Sequence, residues 1–193
     1  MKWLVVIALA ACGGSSMSTP DGSGSGSGSG SNDARLYPLA TGETWTYQVS
    51  AIGAGSTCDA GTFTQHVLSA NPAGGRDAFQ MDSFCSILAG VVYDYSVPSG
   101  DEVDFLYMGS WVTLLDPTLT DGHDWPYINT SYHWKRETSV TVPAGTYDDC
   151  WTAVQDVSYT AANTYCRGVG LVRSVSSDLT GAGWDAELSA TSL

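Results

Sequence analysis

The chain of 193 residues carries 20 Asp and Glu against 7 Lys and Arg, for a formal net charge of −13. A surface of that sign is repelled by phosphate, which excludes nucleic-acid binding and attraction to anionic lipid headgroups. Apolar residues make up 43% of the sequence, enough for one domain with a substantial core.

The N-terminus is set apart from the rest. Lys2 precedes the apolar run Trp3 to Ala11, laid out as an export signal. The run is too short to cross a bilayer as a helix, which takes about 20 apolar residues. It closes on Leu9-Ala10-Ala11-Cys12. This tetrad resembles the lipobox of bacterial lipoproteins, which implies cleavage before Cys12, lipid on its sulfur and acylation of the new amino group. Residues 1–11 are then a lipoprotein signal peptide. The expected location is the bacterial cell envelope, periplasm included, with the protein held at a membrane through the lipid anchor. Gly13, not Asp, follows the cysteine. By analogy with the enterobacterial sorting rule, in which Asp there means inner-membrane retention, the expected site is the outer membrane.

Residues 12–33 are almost entirely Gly and Ser, including the repeat from Gly22-Ser23 to Gly30-Ser31. With nothing apolar to bury, this stretch reads as a disordered tether. Roughly 21 residues of random coil reach about 25 Å, which holds a domain near a membrane without pressing it on.

Residues 34–193 change character to short alternating runs rich in Val, Thr, Tyr and Trp, with no sustained helical period. Strands are expected at Glu43–Ser50, with Trp45, Tyr47 and Val49 on one face, then at Thr62–Ala70 and Asp77–Cys85. In Asp77–Cys85, Phe79, Met81 and Ser83 alternate against Gln80, Asp82 and Phe84. Gly90–Val97, Glu102–Met108 and Trp111–Leu115 follow. Asp116–Tyr127 reads as the longest polar interruption. Tyr132–Val142 then turns at Pro143-Ala144-Gly145, where Gly145 is expected at positive φ. Tyr147–Tyr159 and Thr164–Ser176 form a hairpin through Ala161-Ala162-Asn163, and Trp184–Ala190 closes the chain. Strands of this length joined by short turns predict an antiparallel all-β domain, a curved sheet or half-barrel of about 8–10 strands.

Four of the five cysteines remain after Cys12: Cys58, Cys85, Cys150 and Cys166. An even set in an exported chain predicts disulfides. Zinc is the weaker reading, because there is no C-x-x-C pair and the three His are scattered. Neighbouring hairpins favour Cys58–Cys85 with Cys150–Cys166. A hairpin centred on Ala161-Ala162-Asn163 sets Val157 opposite Cys166, so the second bridge then needs Cys150 on a bend or reaching across the sheet.

One internal echo stands out. Pro38, Gly42, Trp45 and Tyr47 recur as Pro117, Gly122, Trp125 and Tyr127, sharing G-x-x-W-x-Y. Either the domain is a duplication, or one turn-into-strand device is used twice. The first copy, Tyr37-Pro38-Leu39 with Gly42 to Tyr47, resembles the opening of a group of uncharacterised bacterial envelope β-proteins. Val142-Pro143-Ala144-Gly145-Thr146-Tyr147 and Gly168-Val169-Gly170-Leu171-Val172 are similar to its V-P-A-G-T-[FY] and G-V-G-L-V motifs, in the same order. The resemblance implies a curved antiparallel sheet like the half-barrels of lipoprotein carriers, and no known reaction. In physical terms, the glycines of G-V-G read as a bulge or a close backbone approach.

Chemistry is sparse. There is no G-x-S-x-G elbow, no phosphate-cradling loop and no cofactor motif. Asp121-Gly122-His123-Asp124 with Asp116 could offer oxygens to a hard cation, but Asp-Gly is ordinary turn chemistry and no metal site is assigned. Asp101, Glu102 and Asp104, like Asp148-Asp149, read as a solvated rim, and His66, His123 and His133 have no nucleophile placed beside them. The aromatic set is richer. Trp125, Trp111 and Trp134 are the candidate ligand surface, with Trp125 expected to be the most exposed because its loop is polar. The alternative is that these rings fill the core. This pattern favours a non-enzymatic envelope protein that binds a ligand or partner (an envelope protein, a glycan or a lipid) or serves a structural role. The alternatives are a hydrolase of an envelope polymer with carboxylates at the sheet edge, and a carrier of a lipid or other apolar ligand. Acids and histidines converging on the concave face mark the first, and an apolar trough marks the second.

Overall fold

The computed structural model describes residues 33–56, 58–85, 88, 90–155 and 160–193. The signal peptide, the Leu9–Cys12 lipobox and the tether up to residue 32 lie outside the described residues. Alternating apolar and polar side chains give twelve antiparallel strands. They are β1 (Thr44–Ile52), β2 (Gly61–Ala70), β3 (Phe79–Asp82), β4 (Val92–Ser96), β5 (Val103–Tyr107) and β6 (Ser110–Leu115), then β7 (Asp124–Tyr127), β8 (Thr130–Val142), β9 (Gly145–Gln155), β10 (Thr160–Cys166), β11 (Gly170–Ser177) and β12 (Gly183–Thr191). Apart from β6 and β7, each strand pairs with its neighbour in sequence, and β1 pairs with β12 from Trp45 opposite Thr191 to Ile52 opposite Gly183. The result is a nearly closed up-and-down barrel whose seam falls between β6 and β7, not between the first and last strands.

Twelve strands exceed the expected 8–10 for identifiable reasons. Asp124–Tyr127 is a strand and not part of a loop. Pro126 within it is tolerated because β7 is an edge strand, where a missing N–H costs no ladder bond. The run expected as one strand over Thr164–Ser176 is two, because the chain turns at residues 167–169 between β10 and β11. Ala161-Ala162-Asn163 is not a turn: Ala162 and Asn163 pair with Val154 and Ala153 inside β10. β9 ends at Gln155 and β10 already begins at Thr160, and that register brings Cys166 directly opposite Cys150. The Cys150–Cys166 disulfide therefore needs neither a bend nor a long reach, and a second disulfide joins Cys58 to Cys85. The strand expected over Asp77–Cys85 stops at Asp82, and Phe84 turns in to meet Tyr47, ring centres 4.9 Å apart.

The three motifs fit together around one end of the barrel. Trp45, Tyr47 and Val49 are all buried on the inner face of β1. Trp45 Nε1 donates to Val169 O at 2.6 Å, and the Tyr47 hydroxyl donates to Leu171 O at 3.0 Å. Gly170 lies at φ +92°, and a Cβ there would sit 2.7 Å from Tyr37 Cδ2. Pro143-Ala144 is a two-residue turn between paired Val142 and Gly145, the latter at φ +146°. Ala144 N donates to Leu188 O, where Ser189 bulges from β12.

Leu36, Tyr37, Pro38 and Leu39, all buried, cross this same end. Leu36 N donates to Asp101 Oδ1 in the β4–β5 turn, and Arg35 O accepts from Gly168 N in the β10–β11 turn. Arg167 ties the two turns together through Asp101 at 2.9 Å. The two turns follow strands far apart in the sheet order yet meet through this pair, so the segment and the two turns together close this barrel end as a plug.

The echoed motif has a structural counterpart. Gly42 N donates to Val67 O, Val67 N to Glu43 O, and Glu43 N to Ala40 O. Eighty residues on, Gly122 N donates to Trp134 O, Trp134 N to His123 O, and His123 N to Thr120 O. The same three bonds open the first strand of each six-strand half, β1–β6 and β7–β12.

Candidate functional site

The inner faces of the strands line a partly open cavity of about 490 Å³. That is within the size range of small-molecule sites, roughly 300–1,000 Å³. Tyr37 of the plug, Tyr95, Phe105, Tyr165 and Trp184 are among the eight aromatic residues of its lining, and Leu88, Leu114 and Leu171 add aliphatic surface. Leu114 of β6 and Tyr127 of β7 face it from the two sides of the seam.

Its polar groups are few. Among the described residues its lining holds no Lys, Arg or His, and Asp82 is the lone carboxylate. That carboxylate is already engaged by His66: Oδ1 accepts from the backbone N at 2.6 Å, and Oδ2 lies 2.8 Å from the ring Nδ1. Gln65, 6% exposed, donates from Nε2 to Asp82 O, while its Oε1 is buried without a partner. Trp184 Nε1 is likewise buried and unpartnered. Burial raises the phenol pKa of Tyr37, Tyr95 and Tyr165 above the ordinary tyrosine value, so these rings stay neutral at physiological pH. The cavity is thus an aromatic chamber whose carboxylate, Asp82, is held by His66.

The tryptophans singled out from sequence sit elsewhere. Trp125 is 3% exposed, against the expectation that its polar loop would present it. Because its residues form β7, its ring turns inward, stacking on Tyr132 at 5.5 Å and meeting Trp134 at 4.7 Å. Trp134 is fully buried and donates to Asp116 O. Trp111 lies against the turn after β2, donating to Gly74 O beneath the Arg76 guanidinium. None of the three lines the cavity.

The acids serve as caps and ties. Asp121 Oδ1 accepts from Arg136 N, and Asp116 Oδ1 accepts from Thr118 N and faces His123 Nε2 at 3.2 Å. Asp104 pairs with Arg76, Glu102 accepts from Ser99, and Asp149 pairs with Arg167. No group of three metal-ligating side chains converges among the described residues. His133 lies in register between Asp124 and Val154. Sequence reading missed Gln65 and Trp184. One signal was available, since Gln65 occupies the inward phase of β2 between Phe63 and Val67, where an amide is out of place.

No family model matches the chain, and no curated protein matches it. Two solved structures share its fold. One is a protein of Parabacteroides distasonis assigned as a lipoprotein, with a TM-score of 0.52 and 14% identity, covering 83% of this chain and 100% of that one. The other is a Bacteroides fragilis protein assigned as exported and described as having a YmcC-like fold, with a TM-score of 0.52, 12% identity and the same coverage. At these identities the likeness is one of fold alone.

Proposed function

We propose that this chain is a lipid-anchored protein of the bacterial cell envelope, without catalytic activity, that holds an apolar ligand inside its barrel. The observation that carries this reading is the aromatic cavity of about 490 Å³ with no free charge in its wall. Such a wall has little to offer glycoside hydrolysis, which ordinarily uses two carboxylates across the scissile bond. The Leu9–Cys12 lipobox supports the anchor, and the assignments of the two structural neighbours as lipoprotein and exported protein agree with an envelope location. Gly13 supports the outer membrane as the place of anchoring. The membrane, through the lipid, is then the first partner, and the cavity faces the periplasm at the end of the tether.

Native mass spectrometry of the protein from its own membranes tests the ligand. A non-covalent apolar adduct is the expected result, and a uniformly empty barrel refutes the reading. Cys12→Ser is expected to abolish fatty-acid labelling and release the protein from the membrane fraction. Co-sedimentation of the wild type with inner-membrane markers overturns the outer-membrane assignment.

A further inference from the structure

We infer that the end of the barrel opposite the plug is a docking surface for a membrane of net-neutral phospholipid, entered to shallow depth by a crown of apolar turn tips. This rests on the proposed lipid anchor and is independent of whether the cavity holds a ligand.

Topology sorts the turns. Paired neighbours are antiparallel, so the turns after even-numbered strands share the plug's end with the β4–β5 and β10–β11 turns, and those after odd-numbered strands form the other end. Among the described residues eight large apolar side chains are exposed, and seven of them lie at that other end, Leu68 being the exception. Five strand connections there each carry at least one. Ile52 ends β1, Val91 directly precedes β4, Met108 and Ile128 sit at the β5–β6 and β7–β8 tips, and Leu179 lies between β11 and β12. Single exposed apolar residues are ordinary when scattered; gathered on the turns of one end they are not.

Two of these tips also depart from turn chemistry. Met108 and Ile128 hold φ +49° and +51°, in two-residue turns between paired Tyr107 and Ser110 and paired Tyr127 and Thr130. Such positions favour Gly, Asn or Asp, and a β-branched side chain is an outlier there. Both hairpins thus present an apolar side chain to solvent, 88% exposed in Met108, where folding alone favours a small polar one. A local rule broken in the same way on separate hairpins points to a function at the tips.

Charge and tether name the occupant. The segments joining strands at this end, 156–159 included, hold Asp59, Asp156 and Asp178 and no Lys or Arg, whereas Arg35, Arg76 and Arg167 belong to the plug end. An anionic surface finds no cation at the crown, and a neutral one needs none. Tips on five separate connections suit a plane that takes each one singly, where a protein partner would want one contiguous apolar core. Residue 33 enters at the plug end, and residues 13–32 separate it from Cys12. Fully extended, these 20 residues span up to about 70 Å. The 13 residues of β8, the longest strand, measure roughly 43 Å. The anchor therefore allows the crown to face the membrane that holds it. A few shallow tips bind weakly, so the crown acts at the local concentration the anchor imposes, and Cys12→Ser still releases the protein.

The test reconstitutes the processed, acylated protein into phosphatidylcholine vesicles at low and at high copy number. A fluorophore is carried on Leu179→Cys in the crown or on Ser99→Cys at the plug end, and quenching by lipids brominated along the acyl chain is read. The crown label is expected to be quenched at least about fivefold more than the plug-end label. Adding phosphatidylglycerol at low salt is expected to weaken that quenching. Met108→Asn with Ile128→Asn, which suits positive φ, is expected to keep or raise the melting temperature and to cut crown quenching by about threefold or more. An unquenched crown label, or equal quenching of the two labels, overturns the proposal. Quenching unchanged in the double Asn variant overturns it too. So does crown shielding that appears only at high copy number, which makes this end an interface between copies. A purified protein without an acyl chain, read by mass spectrometry, refutes the anchor and the crown's role with it.

Discussion

Trp45 and Val169 are 124 residues apart, yet Trp45 Nε1 donates to Val169 O at 2.6 Å within the buried core. This bond, with that of Tyr47 to Leu171 O, locks the β1 motif onto the β10–β11 turn and fixes the floor of the cavity. Trp45→Phe removes the donor and strands the carbonyl, so a loss of about 1–3 kcal/mol is expected. Trp45→Ala also leaves a void where a fully buried ring stood, with an expected loss of about 3–5 kcal/mol. Urea midpoints for residues 13–193 order the variants. An unchanged midpoint for Trp45→Ala removes this ring from the structural core.

The twin strand openings give a matched comparison. Gly42 and Gly122 sit at φ +91° and +76°, and a Cβ at either would meet nothing within 4 Å. Only backbone strain opposes alanine there, so each substitution should cost about 1–2 kcal/mol and the two should agree closely. Gly170→Ala carries the same strain plus the overlap with Tyr37 and is expected to cost clearly more. Thermal melts rank the three. Unequal losses at Gly42 and Gly122 break the equivalence of the two devices.

The all-β class, most strand positions and the inward phase of Trp45, Tyr47 and Val49 were legible because period-2 alternation is a local property. The strands that escaped notice had local signals pointing elsewhere. Pro126 disqualifies a central strand but not an edge one, and Asp124–Tyr127 becomes an edge only once the ring closes through β1 and β12. Ala161-Ala162-Asn163 has turn-like composition, yet pairing on both sides overrides it. The site was less legible than the fold. Trp125 and Trp134 were singled out as large rings, but ring size does not say which rings fill space and which border it. The cavity residues come from widely separated strands, and the shared orphan state of Gln65 and Trp184 exists only in three dimensions.

Both disulfides should be present in the exported protein. Non-reducing peptide mapping is expected to find the Cys58–Cys85 and Cys150–Cys166 peptides and no free thiol among the four. The bridges close 27 and 16 residues of chain, so each restricts the unfolded state by about 3 kcal/mol in the loop-entropy account. Cys150→Ser with Cys166→Ser should lower stability by that order while keeping the strand pairing around it. A swapped connectivity is incompatible with Cys150 and Cys166 standing opposite one another in β9 and β10.

Alkaline pH should unfold the barrel from within. Burial raises the phenol pKa of Tyr37, Tyr47, Tyr95 and Tyr165 above the ordinary value of 10.0, and neighbouring tyrosines add a smaller push. For each, the folded pKa lies above the unfolded one, so the folded state holds its proton where the unfolded state releases it. Stability from these groups is therefore complete below about pH 10 and falls as pH climbs from there towards the folded values. Each group lowers it by about 1.4 kcal/mol per pH unit within that window, and four together by about 5–6 kcal/mol. A domain stable by the usual 5–15 kcal/mol cannot absorb that for long. Tyrosinate absorbance from these four rings should thus appear in one cooperative step, together with loss of the β-sheet circular dichroism. Smooth independent titration of every tyrosine, with the sheet signal intact, is the result that would place those four rings in contact with solvent and empty the chamber of its aromatic wall.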